Sequence, residues 1–466
     1  MPIDATVPGS AEWWLISQMH ELLEQQDHVK LMRAYVCGNH PLPQPHKRYR
    51  ETYRRLSRLA RSNYVGLVTA TVRERLRVVG FRSGGAADPV ADARSWEVWQ
   101  ANSLDADQVQ AHWDALVTGI GYVMVGGTDR ETGCPVITVE DPAQVIHTPD
   151  PQRRRRVLSA LKVWSDPLLP DVVNAAVFLP DVVARFWAPT PGAKLEDQSS
   201  WNLERYDPNP LGVVPIVPFI NRPENGQGMS EFGDVLDIQD RINTTLLDRL
   251  VITAMQAFRQ RWLKGADLTD EDGNPEQPFD PGADLLWAVE SEKAQFGDFE
   301  QSSLAPVLDA IRSDMRDLAA ISRTPPHYLT GELTNVNGAT LDAAEAGLLA
   351  KVHDRQLEFG ESWEQVARLA ARSEGRQIGL DAEVIWAEPK SRSIAELADA
   401  LAKLASIGAP LSWLLQEYGL SPQEIPRVLA EAEKQRKSDA TTKAAAFGIG
   451  PGDQAPAAVE AGPPVQ

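Results

Sequence analysis

The sequence predicts an α+β protein built from several packed units, and three observations carry that prediction. Its 466 residues, 43% of them hydrophobic, exceed what one ordinary core organises. Short apolar runs bounded by turn residues crowd 121–220, the pattern of strands. Long stretches from about 230 onward carry apolar residues at three- and four-residue steps, the pattern of helices.

Taken in order, 11–36 is helical, with Trp14, Leu15, Met19, Leu22 and Leu23 at helical spacing. "GNHPLPQPHKRYR" interrupts it with three prolines. A basic helical pattern follows to Arg75, with Tyr53, Leu56, Leu59, Ala60 and Tyr64 on one side, and "RLRVVGF" (75–81) reads as a strand. Residues 95–117 are helical again. "GYVMVGGTDRETGCPVITVED" (121–141) is a hairpin, and "RRRRVLSALKVW" and "NAAVFLPDVVARFW" are further strands. Pro215 and Pro218 confine the next apolar run to a sheet edge or an irregular strand, because proline cannot donate to a ladder.

A long helix is then expected over 230–263, with Ser230 as N-cap. Glu231, Asp234, Asp237 and Asp240 crowd its start, and Arg259, Arg261 and Lys264 its end, as the helix dipole favours. Ile242, Leu246, Leu250, Ala254, Phe258 and Trp262 step by four, and Leu247, Val251 and Met255 widen the stripe. Such a helix is about 50 Å long, so it spans something or packs against copies of itself. An acidic Gly/Pro-rich segment (265–302) separates it from a returning helix (303–323). After "RTPPHYLTGELTNVNGATL" a third long helix runs over 341–373, and shorter ones fill 393–437. The tail 438–466 is low-complexity and expected to be disordered.

Composition excludes several function classes. A net charge of −19 opposes nucleic-acid binding through a broadly basic surface. The charge is uneven: 46–82 holds eleven Lys/Arg, whereas 266–300 holds eleven Asp/Glu. No apolar run is long enough to cross a membrane, and no secretion signal is expected at the N-terminus. Cys37 and Cys134 are isolated, which fits a reducing compartment. There is no phosphate loop, dinucleotide fingerprint, nucleophile elbow or zinc-protease helix, and the eight histidines are scattered. The acidic "DLTDEDGNPEQ" fails as a calcium loop because Leu268 stands where its first aspartate belongs. No enzyme activity, metal or cofactor is expected.

The ordered set of segments resembles the portal proteins of tailed double-stranded DNA bacteriophages, of the siphophage type common in phages of actinobacteria. The residues that carry it are "LMRAYVCGNHPLP", "RSNYVGLVTATVRERLRVVGF", "HWDALVTGIGYVMVG", "YDPNPLGVVPIVPFINRP", "SEFGDVLDIQDRINTTLLDRL" with Gln239, Asp240 and Asn243, and "AAISRTPPHYLTG" followed by "ATLDAAEAGL". Together they cover about 30–435.

The resemblance implies a portal fold: a wing (1–229), stem helix 1 (230–264), a clip (265–302), stem helix 2 (303–323), a tunnel-loop region (324–341), a long helix returning to the wing (342–392), crown helices (393–437) and the tail. It implies a homo-oligomeric ring of about twelve copies at one capsid vertex. Its partners would be the terminase large subunit, a head–tail adaptor, the major capsid protein and scaffold, and transient double-stranded DNA, with no membrane. The chain would assemble in the host bacterial cytoplasm and reside in the virion. Tyr328, Thr330, Asn335 and Asn337 become tunnel-loop candidates. Arg241, Arg249, Arg259 and Arg261 would touch DNA or pair with a neighbouring subunit, and Asp270, Glu271, Asp272 and Asp280 would form the clip's partner surface. The alternatives are another connector or adaptor ring, most of which are much shorter, and a metal-dependent hydrolase.

Overall fold

The computed structural model describes residues 3–41, 54–82, 93–190, 193–224, 226–257, 261–265, 293, 295–298, 303–331, 338–390, 394–420 and 424–446. Helix α1 (Ala11–Val36) opens at Ser10, whose Oγ accepts from Trp13 N–H at 3.1 Å. Its Leu15, Met19 and Leu22 are fully buried, each contributing about 1.5–3 kcal/mol of apolar burial. The expected basic helix is split into α2 (Arg54–Leu59) and α3 (Tyr64–Arg73), because Asn63 caps α3 by accepting from Gly66 N–H. Strand β1 (Val78–Arg82) follows.

The helix expected over 95–117 is likewise two helices, α4 (Ala93–Ala101) and α5 (Leu104–Thr118). Asn102 donates to Val98 and Pro135 carbonyls and accepts from Ile137 N–H, and Ser103 adopts a left-handed φ of 55°. These side-chain bonds give the backbone an alternative to helix.

Two antiparallel sheets follow. Strands β2 (Ile120–Thr128), β3 (Pro135–Glu140) and β9 (Ile216–Ile220) form one, in the order β3-β2-β9. The second is a meander of β4 (Val145–Pro149), β5 (Val157–Asp166), β6 (Leu169–Phe178), β7 (Val182–Pro189) and β8 (Asn202–Pro208). Its inner face, including Leu161, Val177 and Phe186, packs on α1. Pro218 lies on β9, an edge strand, where its missing donor costs no ladder bond.

Helix α6 (Leu236–Ala257) starts six residues after the expected Ser230, and Phe258, expected on the same stripe, lies outside the described residues. Ser230 instead accepts from Phe232 N–H in a turn that buries Glu231, and a single 3₁₀ turn covers Gly233–Val235. Arg261 and Trp262 lie not on the helix but on β10 (Arg261–Lys264), which pairs with β11 (Gln295–Asp298). Helix α7 (Ala305–Ile321) returns beside α6, a short α8 (Pro326–Thr330) follows, and α9 (Gly338–Ser373) spans 36 residues.

Strand β12 (Glu383–Trp386) pairs with β1, tying the end of α9 back to the N-terminal body. Trp99, Phe219, Phe359 and Trp363 form the centre of the core between α9 and the smaller sheet. Helices α10 (Ile394–Ser406), α11 (Leu411–Glu417) and α12 (Glu424–Ala446) complete the described chain. Helix α12 carries regular structure through 438–446, a stretch expected to be disordered. No described helix is long and apolar enough to cross a membrane.

Candidate functional site: the α6–α7 pair and its anchorage

The α6–α7 pair is held at its base by polar side chains that reach out of an apolar stripe. Ile242, Leu246 and Leu247 of α6 bury against Ile311 and Leu318 of α7, and against Val65 and Val68 of α3. Gln239 and Asn243, fully buried on α6, meet the turn before α3. Gln239 Oε1 accepts from Tyr64 N–H (2.9 Å) and Val65 N–H (3.3 Å), and its Nε2 donates to Ser62 carbonyl (2.9 Å). Asn243 Oδ1 accepts from Ser62 N–H at 2.9 Å, and its Nδ2 donates to His40 Nε2 at 2.6 Å. Tyr35 OH donates to Asp240 Oδ2 at 2.8 Å. Two amides thereby satisfy donors at a helix start that apolar side chains would leave unpaired.

A second anchor lies where the chain enters α6. Glu231 is 4% exposed. Its Oε2 accepts from Arg355 Nε (3.0 Å) and Asn221 Nδ2 (3.3 Å), and Lys351 Nζ lies 3.3 Å from its Oε1. Lys351 also donates to the Ser322 carbonyl (2.8 Å) at the end of α7, and Glu231 N–H donates to Leu116 carbonyl of α5. One residue therefore links α5 through its backbone and the end of β9 and α9 through its carboxylate, and through Lys351 the α7 terminus. Burial pushes its carboxyl up, but Lys351 and Arg355 outweigh burial and hold it below the usual range. The two chain connections beside it, at Arg222 and Arg323, adopt left-handed φ of 47° and 50°. Both line, with Glu231, Lys351 and Arg355, a polar cleft of about 670 Å³.

The residues singled out from the sequence fall into three groups. Arg241 is engaged within its own chain: Asp314 Oδ1 lies 2.9 Å away and Asp317 Oδ2 3.6 Å, so it bridges α6 to α7. Arg249 sits half-buried on α6. Tyr328 lies half-buried on α8: its OH donates to Glu345 (2.9 Å) and accepts from Arg75 (3.0 Å), and its ring packs against the α9 core. Thr330 is exposed at the end of α8, where Oγ1 donates to Pro326 carbonyl.

Arg261 stands on β10. Arg259, Asn335, Asn337, Asp270, Glu271, Asp272 and Asp280 lie outside the described residues. Among the described residues no group of three or more His, Cys, Asp or Glu is placed to hold a metal.

Sequence reasoning missed Glu231, Lys351 and Arg355 as a unit. A signal was present: Lys351 and Arg355 stand one turn apart among Leu348, Val352 and Phe359, charges inside an apolar stripe. The partner, 120 residues upstream of Lys351, had no such marker.

The family described as "Phage portal protein, SPP1 Gp6-like" matches residues 19–438. A portal protein of Mycobacterium phage D29 is 30% identical over 416 residues, covering 84% of this chain and 81% of that protein. A portal protein of Mycobacterium phage L5 is 29% identical over 415 residues, with the same coverage of each chain. The match runs through α1, both sheets, the α6–α7 pair and α9, and on these grounds the chain belongs to the SPP1 Gp6-like family of phage portal proteins.

Proposed function

We propose that copies of this chain close into a ring, about twelve in number, with the α6–α7 pair facing the central passage. As a portal protein the chain serves the capsid vertex through which double-stranded genomic DNA is packaged and later leaves. The observation that carries the arrangement is the helix pair itself. It is anchored at its base by Gln239, Asn243 and Glu231, and its far end runs into the β10–β11 ladder that closes the acidic segment. In this reading β10, β11 and the residues between them form the clip that meets the terminase and then the adaptor. Helices α10–α12 form the crown, and everything before α6 the wing.

The acidity fits a conduit. DNA has to slide, and a net charge of −19 per copy limits the phosphate contacts that counterion release would otherwise make tight. The test is light scattering with negative-stain electron microscopy of the purified protein, alone and co-expressed with scaffold. Rings of about twelve copies with a central hole support the reading. A monomer under both conditions, or rings whose hole is too narrow for a DNA duplex, sinks it.

A further inference from the structure

The cleft between Arg222 and Arg323 has a floor with more positive than negative charge. Glu231 is one carboxylate facing two cations, Lys351 and Arg355, all three less than a tenth exposed. Around it, Arg222 pairs with Asp234 at 2.6 Å and Glu358 with Arg155 at 3.0 Å, and the exposed Arg323, Glu224 and Asp354 complete the charged lining, so the excess of positive charge is confined to the buried groups. Arg355 is the informative residue. Its side chain is nine-tenths buried and lines the cleft, yet only its Nε–H is bonded, to Glu231. Its two Nη groups have no protein acceptor among the described residues. A guanidinium fork left open in a polar cleft, with the neighbouring carboxylate already shared, suits an oxyanion approached bidentately. Arg222 and Arg323 hold strained backbone on either side of the opening, where strain tends to accompany function.

We propose that this cleft is an oxyanion-binding site centred on the Arg355 Nη groups, and that the oxyanion is an Asp or Glu carboxylate from a second copy of this chain. The source follows from shape and supply. The binding groups are about nine-tenths buried and line a cleft of about 670 Å³, a setting that suits a single inserted side chain. Each copy carries 65 Asp and Glu residues against 46 Lys and Arg. The choice of donor rests on the ring reading above; the oxyanion site itself does not.

The experiment has two arms. In the first, inorganic phosphate is titrated into unassembled protein while Tm is followed, against chloride at matched ionic strength. A saturable rise is expected in the unaltered chain, absent in Arg355→Met and largely absent in Arg355→Lys. The lysine variant keeps a charge on Glu231 but lacks the fork, so it serves if the methionine variant does not fold. No phosphate-specific rise, or an equal rise in both variants, overturns the site; a rise that grows without saturating is an adventitious ion only and overturns it too. In the second arm, Arg355→Lys is compared with the unaltered chain in ring assembly. Slower or weaker assembly, with phosphate competing, supports the carboxylate of a second copy. Undiminished assembly by a variant that has lost phosphate binding overturns that source and assigns the site to a phosphate group. Failure of the unaltered chain to assemble at all counts against the ring reading and against this donor, while the first arm still decides the site.

Discussion

Arg241 of α6 and Asp314 of α7 stand 2.9 Å apart, with Asp317 one turn-step further on at 3.6 Å. The pair belongs to one chain and bridges two helices whose sequence separation is 73 residues. Because Arg241 is solvent-exposed, the pair sets the register of α7 on α6 more than it adds stability. Arg241→Ala is expected to lower Tm slightly at low salt and not at high salt, with duplex-DNA affinity unchanged. Thermal scans at two ionic strengths and a binding titration check this; a drop in DNA affinity would place Arg241 on the DNA-facing surface.

Glu231 makes a stronger prediction because it is buried. Glu231→Gln leaves Lys351 and Arg355 as uncompensated cations, which costs about 3–5 kcal/mol in chemical denaturation. Replacing Glu231, Lys351 and Arg355 together by apolar residues of similar volume is expected to recover much of that loss. A Gln variant as stable as the unaltered chain would show that the carboxylate is not the group holding the junction.

The same group shapes the acid limb of stability. Its carboxyl lies below the usual 4.5 in the folded state. A depressed folded value means that the contribution is complete above the ordinary carboxyl range and disappears as pH falls through the folded value. Stability against pH is therefore expected to drop below about 4.5, and to drop less steeply in Glu231→Gln. Denaturation midpoints at a series of pH values between neutral and strongly acidic measure both slopes.

Gln239→Ala removes two acceptor contacts and one donor from the turn before α3, leaving the Tyr64 and Val65 amides unpaired in a buried setting. The expected cost is about 1–3 kcal/mol. Hydrogen exchange gives the specific readout: Tyr64 and Val65 amides lose protection while those of β5 and β6 do not.

Gly119 and Gly228 form a backbone contact that no side chain fits. A Cβ on Gly228 would lie 1.9 Å from the Gly119 carbonyl oxygen, and Gly119 itself sits at φ 90°. Gly228→Ala is expected to destabilise by about 1–3 kcal/mol or more, since backbone rather than a flexible side chain has to move. Loss of soluble protein or a matching fall in Tm confirms it, and a neutral alanine contradicts the close approach.

Much of the fold was legible from local pattern, because amphipathic periodicity and turn chemistry are local. The 3.6-residue stripe of Ile242, Leu246 and Leu250 identifies α6, the prolines at 215 and 218 restrict the run containing β9 to an edge or an irregular strand, and the spacing of Leu15, Met19 and Leu22 identifies α1. Boundaries were less legible where a distant partner intervenes. Ser230 has the chemistry of an N-cap, yet the segment after it stays out of the helix because Glu231 is drawn to Lys351 and Arg355. Asn102 breaks a helical pattern because Ile137 and Pro135, on another strand, occupy its amide.

The sequence by itself determined most of the element types, the α+β plan and, through an ordered set of short segments, the portal family. It did so because helical and strand periodicities, caps and prolines act within a few residues. Only the tertiary structure decided which charges meet. Arg241 finds Asp314, Tyr328 lies between Arg75 and Glu345, and Glu231 serves two cations on α9. These partners are 17 to 253 residues apart in the sequence, and all but Tyr328 and Glu345 are separated by more than 70. Coulomb and hydrogen-bond energies depend on distance in space and on burial, and neither quantity exists until the chain has folded.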